Sequence, residues 1–235
     1  MFTKSTRFYD AVYGFKDYAG ESEQLLGLIK QYKSSDGNAL LDVACGTGGH
    51  IPYLQEHFQI EGLDLDENML VVARERFPDI PFHQGDMVDF ELNGSFDVII
   101  CLFSSIGYAK TESRMRQAVQ TMADHLIPGG VLILEPWISP DQWKPGDLHG
   151  LNVVEPDFRI TRMNISETRD NLSFVEFHYL VGTPEGIHYF TEEHELGLFP
   201  TVSYLDALQN AGLDVIHDPE GLIGRGLFIG MKPAS

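Results

Sequence analysis

Unbroken apolar runs and helical periodicities alternate through the first 136 residues. Residues 39–44 form an apolar run around Asp42, and a glycine-rich turn follows it. Residues 60–64, 81–86, 96–102 and 131–136 read as further strands. Strands without a polar face are buried on both sides, as in a parallel sheet covered by helices. The segments between them repeat at helical spacing. Ile51, Leu54 and Phe58 predict a helix over 49–57 with Pro52 in its first turn, and Leu70, Ala73 and Phe77 predict one over 67–77. Met115, Ala118, Val119, Met122 and Leu126 predict a helix that Thr111 caps and Pro128-Gly129-Gly130 ends. Ahead of the first strand, Leu25, Leu28, Ile29 and Tyr32 mark another helix, with Tyr9, Tyr13 and Tyr18 clustered before it.

Beyond residue 137 the pattern changes. No long helix is predicted before residue 199, and 159–168, 172–183 and 186–198 read as strands joined by the turns Arg169-Asp170-Asn171 and Thr183-Pro184-Glu185-Gly186. A helix over 201–211, stopped by Gly212, and strands at 213–216 and 227–231 complete the chain. The expected architecture is α/β: a doubly wound, mostly parallel, Rossmann-like sheet with an antiparallel β insertion after its fifth strand. In domain terms, 1–136 and 200–235 form the ligand-binding domain, and 137–199 form a lid over an acceptor site.

Charge narrows the choice of partners. The chain carries 35 acidic residues against 16 Lys and Arg, a formal net charge of -19. That opposes nucleic-acid binding, which needs clustered cations. An anionic small molecule would have to meet a few placed arginines. Cys45 and Cys101 are too few for a disulfide framework. The first seven residues lack an apolar signal core, and the stretch 98–103 is too short to cross a bilayer. A cytoplasmic protein with no membrane partner is expected, and a homodimer is left open. No metal site is expected, since there is no Cys/His spacing for zinc. Neither a nucleophile elbow nor a phosphate loop occurs. His188, His194, Glu192, Glu193 and Glu195 read as outward, solvated side chains of a strand.

The most specific local signal is Asp42-Val43-Ala44-Cys45-Gly46-Thr47-Gly48, where a parallel strand gives way to a helix. Glycines there admit a nucleoside close to the backbone. Asp64 follows the first glycine by 18 positions (64 − 46), where a carboxylate can hold ribose hydroxyls. Alone, such a segment is also a tight turn with a capping aspartate. Ile51 occupies the position where a dinucleotide fold wants a third Gly or Ala, and Asp42 suits a cationic ligand better than a diphosphate.

Residues 42–48 resemble the first motif of class I S-adenosylmethionine-dependent methyltransferases. The resemblance implies a seven-stranded sheet whose last strand is antiparallel. It also implies that Asp64 binds the ribose, that Asp86 in Gly85-Asp86-Met87 takes the adenine amine, and that Leu102 and Phe103 lie beside the methionine moiety. Tyr18, Ala44, Cys45, Gly46, Leu65, Met69 and Met87 complete the implied cofactor set.

A longer resemblance is to the N,N-dimethyltransferases of nucleotide-linked deoxyamino sugars, such as the dTDP-desosamine and mycaminose enzymes. It is carried by Tyr9-Asp10 with Tyr13, Lys16-Asp17-Tyr18, residues 40–48 and His83-Gln84-Gly85-Asp86-Met87. Phe103-Ser104-Ser105-Ile106-Gly107-Tyr108, Glu135-Pro136-Trp137 and Gly224-Arg225-Gly226-Leu227-Phe228-Ile229-Gly230 carry it further. It implies methyl transfer to the amine of a small, nucleotide-linked sugar. Tyr13 and His125 are then the catalytic candidates near the amine, and Tyr9, Trp137, Arg162 and Arg225 the substrate contacts. Trp143 and Phe158 are further stacking candidates. His125 is expected near the carboxyl edge of the sheet, as a base or an orienter; taken alone, it is a helix C-terminal histidine. Two other readings stand beside this one: a methyltransferase for a hydroxyl, carboxylate or polyamine acceptor, and a non-catalytic nucleoside-binding module.

Overall fold

The computed structural model describes residues 5–234. Residues 1–4, part of the segment read as lacking a signal core, lie outside the described residues. The chain opens with α1 (Tyr9–Val12) and α2 (Tyr18–Tyr32). Then come β1 (Ala39–Val43), α3 (Ile51–Leu54), β2 (Gln59–Asp64), α4 (Glu67–Arg76), β3 (Phe82–Gln84), β4 (Phe96–Cys101), α5 (Glu112–Asp124) and β5 (Leu126–Leu134). The inserted strands are β6 (Leu148–Val154), β7 (Arg159–Arg169), β8 (Leu172–Thr183) and β9 (Gly186–Gly197). α6 (Thr201–Asn210), β10 (Asp214–Asp218) and β11 (Leu227–Met231) close the chain.

A seven-stranded sheet runs in the order β10-β11-β5-β4-β1-β2-β3. Its strands are parallel except β11, which opposes both neighbours. The apolar strands are buried on both faces because alternate residues meet different helices. Leu41, Val43, Ile99, Leu132 and Leu134 pack with Met115, Val119 and Met122 of α5 and with Leu208 of α6. Leu40, Val98, Ile100, Val131 and Ile133 pack with Leu25 and Ile29 of α2 and Leu54 of α3. A four-stranded antiparallel sheet, β6-β7-β8-β9, stands apart from this layer. Ile160, Tyr179 and Val181 on its inner face pack against Phe8, Val12 and Tyr13.

Three details depart from the sequence pattern. The helix after the glycine turn has four residues, because the chain turns repeatedly before β2. Pro128-Gly129-Gly130 lies inside β5 and does not end α5, which already stops at Asp124. The triplet is a bulge, with the register against β4 shifting between Phe96 and Val98. Gly129 adopts φ +77°, and its carbonyl accepts from Ser34 N and Ser35 N at 2.9 and 3.0 Å. The third departure is β6, an edge strand whose irregular apolar positions gave no alternation to read.

Gly129 and Gly146 both have left-handed backbones, but only Gly129 is crowded: a Cβ there would meet Ser34 Oγ at 2.8 Å, against open space at Gly146. Gly146→Ala should therefore cost about 1–2 kcal/mol, the left-handed penalty alone, and Gly129→Ala clearly more. Equal losses in urea unfolding would reject the bulge as a packed constraint.

Candidate active site

The loop after β1 turns by placing Ala44, Gly46 and Gly48 in left-handed conformations, at φ 60°, 56° and 79°. Gly48 is obligatory for space as well, since a Cβ would meet Ile51 Cδ1 at 2.8 Å and the Phe77 ring at 2.9 Å. A Cβ at Gly46 would meet nothing within 4 Å; it would project into an open cavity. At the end of β2, Asp64 Oδ2 accepts from Gly46 N and Oδ1 from Asp66 N, both at 2.8 Å. Leu65 N is a third backbone donor, and a carboxylate's four acceptor positions leave room for a further one. Burial pushes the Asp64 carboxyl up, and these backbone donors oppose it.

The cavity beside this loop measures about 390 Å³. Tyr9, Ala44, Gly46, Asp64, Leu65, Met69, Asp86 and Met87 line it. Leu65 exposes 46% of its surface there, an apolar face without a protein partner. Asp86 accepts from Val88 N at 3.0 Å and pairs with Arg114 at 2.6 Å. A recess continues past Tyr18, Asp42, Cys45, Leu102 and Phe103, and among the described residues no Lys or Arg lines it. Asp42 is buried there, its carboxyl pushed up to about 8 by desolvation and then by the neighbouring Asp64. An apolar slot, a diol acceptor and a recess with a carboxylate but no cation fit an adenosyl sulfonium. They do not fit a diphosphate.

A second cavity, about 570 Å³, shares Tyr9, Ser105 and Tyr108 with the first. Among the described residues its cations are Lys16, Arg162 and Arg225. Arg162 donates to Tyr13 Oη at 3.2 Å and lies 4.3 Å over the Phe177 ring. Arg225, between Gly224 and Gly226 in left-handed conformations, donates to Ser104 Oγ at 2.9 Å and lies 5.0 Å over Trp137. Lys16 pairs with buried Glu21 and sits 4.4 Å over Phe103. Burial raises the Tyr13 hydroxyl, with Arg162 opposing the shift.

Every catalytic, cofactor and substrate-contact candidate lines one of these spaces except His125, whose placement corrects the expectation; the stacking candidates Trp143 and Phe158 line none of them either. The carboxyl edge of β5 is at Leu134, whereas His125 precedes Leu126 at the opposite end. Its Nδ1 is 2.8 Å from Thr121 O, its Nε2 accepts from Leu92 N at 3.2 Å, and its ring lies 4.5 Å from Phe90. It closes the helix terminus and lines neither cavity. Trp143 donates to Thr168 Oγ1, and Phe158 packs on Phe8 at 5.1 Å.

Among the described residues, the histidine that lines the second cavity is His194. Its solvated reading fails, as does that of Glu192: the two are 2% and 5% exposed. Glu192 accepts from Ser5 N and Oγ, at 3.0 and 2.6 Å. Tyr108 Oη and His194 Nδ1 stand 2.6 Å apart. Burial, reinforced by Arg162 among other charges, pulls His194 down to about 3, while burial raises Tyr108. The neutral imidazole therefore accepts and the phenol donates. The available signal was strand alternation: Glu192 and His194 share a face with apolar Leu196.

His125→Ala should lower stability by about 1–3 kcal/mol through its lost backbone partners, and leave kcat and both KM values within about twofold. A large kcat loss in a variant of near-native thermal stability would return His125 to the chemistry.

With this geometry in view, likeness to known proteins is informative. A methyltransferase-domain profile matches residues 40–130. The chain is 40% identical over 219 residues, 92% of each sequence, to a dTDP-3-amino-3,4,6-trideoxy-alpha-D-glucopyranose N,N-dimethyltransferase of Streptomyces venezuelae. Its fold matches the crystal structure of Streptomyces venezuelae DesVI with TM-score 0.92 at 38% identity, over 99% of both chains. It also matches an S-adenosylmethionine-bound amino pentose methyltransferase from Micromonospora echinaspora with TM-score 0.86 at 36% identity, over 95% of this chain and 96% of that one. Carried by the glycine loop, the Asp64 clasp and a relationship spanning nearly the whole chain, the assignment is that this protein belongs to the S-adenosylmethionine-dependent methyltransferases, in the family of the dTDP-amino-sugar N,N-dimethyltransferases.

Proposed function

We propose that this enzyme methylates the amine of a nucleotide-linked deoxyamino sugar, twice on one nitrogen, in the cytoplasm. One observation carries the reading: the donor and acceptor cavities meet at Tyr9, Ser105 and Tyr108, and the acceptor side gathers Lys16, Arg162 and Arg225 in a chain of net charge -19. When bound, S-adenosylmethionine supplies a methyl group on a positively charged sulfur. Asp64 would hold its ribose, Leu65, Met69 and Met87 its base, and Asp42 would offset its charge. Arg225 presents a fork suited to phosphate oxygens. Tyr108, donating to His194, keeps an oxygen lone pair that can accept an amine N–H and so aim the nitrogen lone pair across the shared wall. Residues 137–199, with Tyr13 packed beneath them, act as the lid that excludes water.

Incubation with methyl-labelled donor and a dTDP-linked amino sugar should move two labels to the sugar nitrogen. Arg225→Ala should raise the acceptor KM at least about tenfold without changing donor affinity. Transfer to a hydroxyl, carboxylate or polyamine instead, indifferent to Arg225→Ala, would overturn the reading.

The shift at Asp42 sets a pH dependence. Its pKa in the free protein is about 8, so at pH 7 the carboxyl is mostly protonated. A bound cation favours the ionised form and expels that proton, so donor affinity should rise between about pH 6 and 7.5. Calorimetry at pH 7 in buffers of different ionisation enthalpy should register proton release, and Asp42→Asn should abolish it. A wild-type affinity flat across this range contradicts the assignment of Asp42.

A further inference from the structure

The acceptor cavity joins the shared wall to side chains that are exposed at the surface. Phe103 belongs to the donor recess and to the acceptor cavity. The Tyr13 ring meets Phe103 edge-on at 5.3 Å, and Phe15 lies 6.0 Å beyond Tyr13. Phe15 is 74% exposed, in the turn between α1 and α2. Ile223, 41% exposed, reaches the same cavity from the loop between β10 and β11, beside Leu222. Each apolar rim residue is followed closely by a cation that lines the cavity: Phe15 by Lys16, and Ile223 by Arg225.

An apolar rim, cations further in and a polar wall at the donor describe a ligand with a planar apolar end, an anionic middle and an amine at the tip. A buried aromatic would need no such explanation, because packing would account for it. Phe15 has no packing partner over most of its surface, yet it borders a cavity. Leaving that much apolar area in water is unfavourable, and a stacked base would remove it from water. Gln24 lines the same cavity and carries an amide donor and acceptor that match the edge of a pyrimidine.

We infer that Phe15 and the Leu222–Ile223 pair form a clamp for the nucleobase of the acceptor, with Gln24 reading its edge. The inference rests on the nucleotide-sugar reading above. The clamp fixes the far end of the substrate, so that the amine arrives at Tyr108 in one register. Affinity for the base then acts through acceptor KM and leaves the methyl-transfer step unchanged.

The test is calorimetric titration with thymidine diphosphate, with S-adenosylhomocysteine present. Phe15→Ala should weaken thymidine diphosphate about tenfold, and Phe15→Trp should restore it. Affinity for S-adenosylhomocysteine, unchanged in both variants, reports an intact fold. In turnover, Phe15→Ala should raise KM for the dTDP-linked amino sugar by the same factor at constant kcat. KM for the corresponding amino-sugar 1-phosphate, which lacks a base, should not move. Wild-type affinity for thymidine diphosphate in Phe15→Ala, or an equal loss for the 1-phosphate, overturns the clamp alone. A wild-type protein that binds no thymidine diphosphate and methylates no nucleotide-linked sugar overturns the clamp and the functional reading together.

Discussion

The site depends on one carboxylate. Asp64 ends β2, yet its two oxygens hold the backbone of two different segments, the glycine loop at Gly46 and the approach to α4 at Asp66. The clasp adds to the bonds Cys45 N makes to Leu63 O and Gly48 N to Cys45 O, at 3.0 and 2.9 Å, in a loop where Ala44, Gly46 and Gly48 alternate through left-handed backbone. Burial would favour protonation of Asp64, and the backbone donors of Asp66, Gly46 and Leu65 oppose it. The same carboxylate thus fixes the floor of the donor cavity and stays an acceptor for a diol. It also raises Asp42 by like-charge repulsion, which prepares that second acid to respond to a cation.

Two elements then join the donor cavity to the acceptor cavity. The first is the N-terminal segment. Asp10 accepts from Thr47 Oγ1 at 2.7 Å and pairs with Arg76 at 2.9 Å, strapping the segment to the glycine loop. Ser5 binds Glu192 of β9, strapping its other end to the inserted sheet. Tyr9, between the straps, faces both cavities. The second element is β9 itself. Its Glu193 and Glu195 line the donor cavity, and His194 and Leu196 line the acceptor cavity. Strand alternation therefore divides one strand between two cavities. On the reading proposed, a shift of this sheet would change both sites at once, a physical route for coupling acceptor binding to donor enclosure.

Where burial was two-sided or helical spacing regular, the sequence was legible. The central strands, α4, α5 and α6, and three of the four inserted strands all follow from such patterns. β6 was hidden because an edge strand with Leu148 and Val154 exposed has no buried face to impose alternation. Pro128-Gly129-Gly130 reads as a helix stop in one dimension, and its role as a bulge depends on Ser34 and Ser35, some 95 residues away. His125 and His194 exchange places for the same reason. A helix-terminal histidine can belong to either edge of a sheet, and only the strand direction decides. In the sequence, the charges that flank His194 disguise its inward face. Phe15 carries no sequence signal at all, since an exposed aromatic acquires meaning only from the cavity it borders.

These placements bear on how rate is generated. At the shared wall and beside it in the second cavity, burial raises the hydroxyls of Tyr9, Tyr13 and Tyr108, and His194 is held near 3. All four are thus displaced away from neutrality, and a general base works best with a pKa near the working pH. On the reading proposed, these side chains therefore orient the amine, and water takes the proton after the N–C bond has formed. Orientation is a sufficient source, since well-aligned intramolecular reactions gain up to about 7–11 kcal/mol. The arrangement also suits two successive methylations. A base matched to the primary amine would be mismatched to the more crowded secondary amine, whereas a neutral phenol oxygen that accepts one N–H serves both.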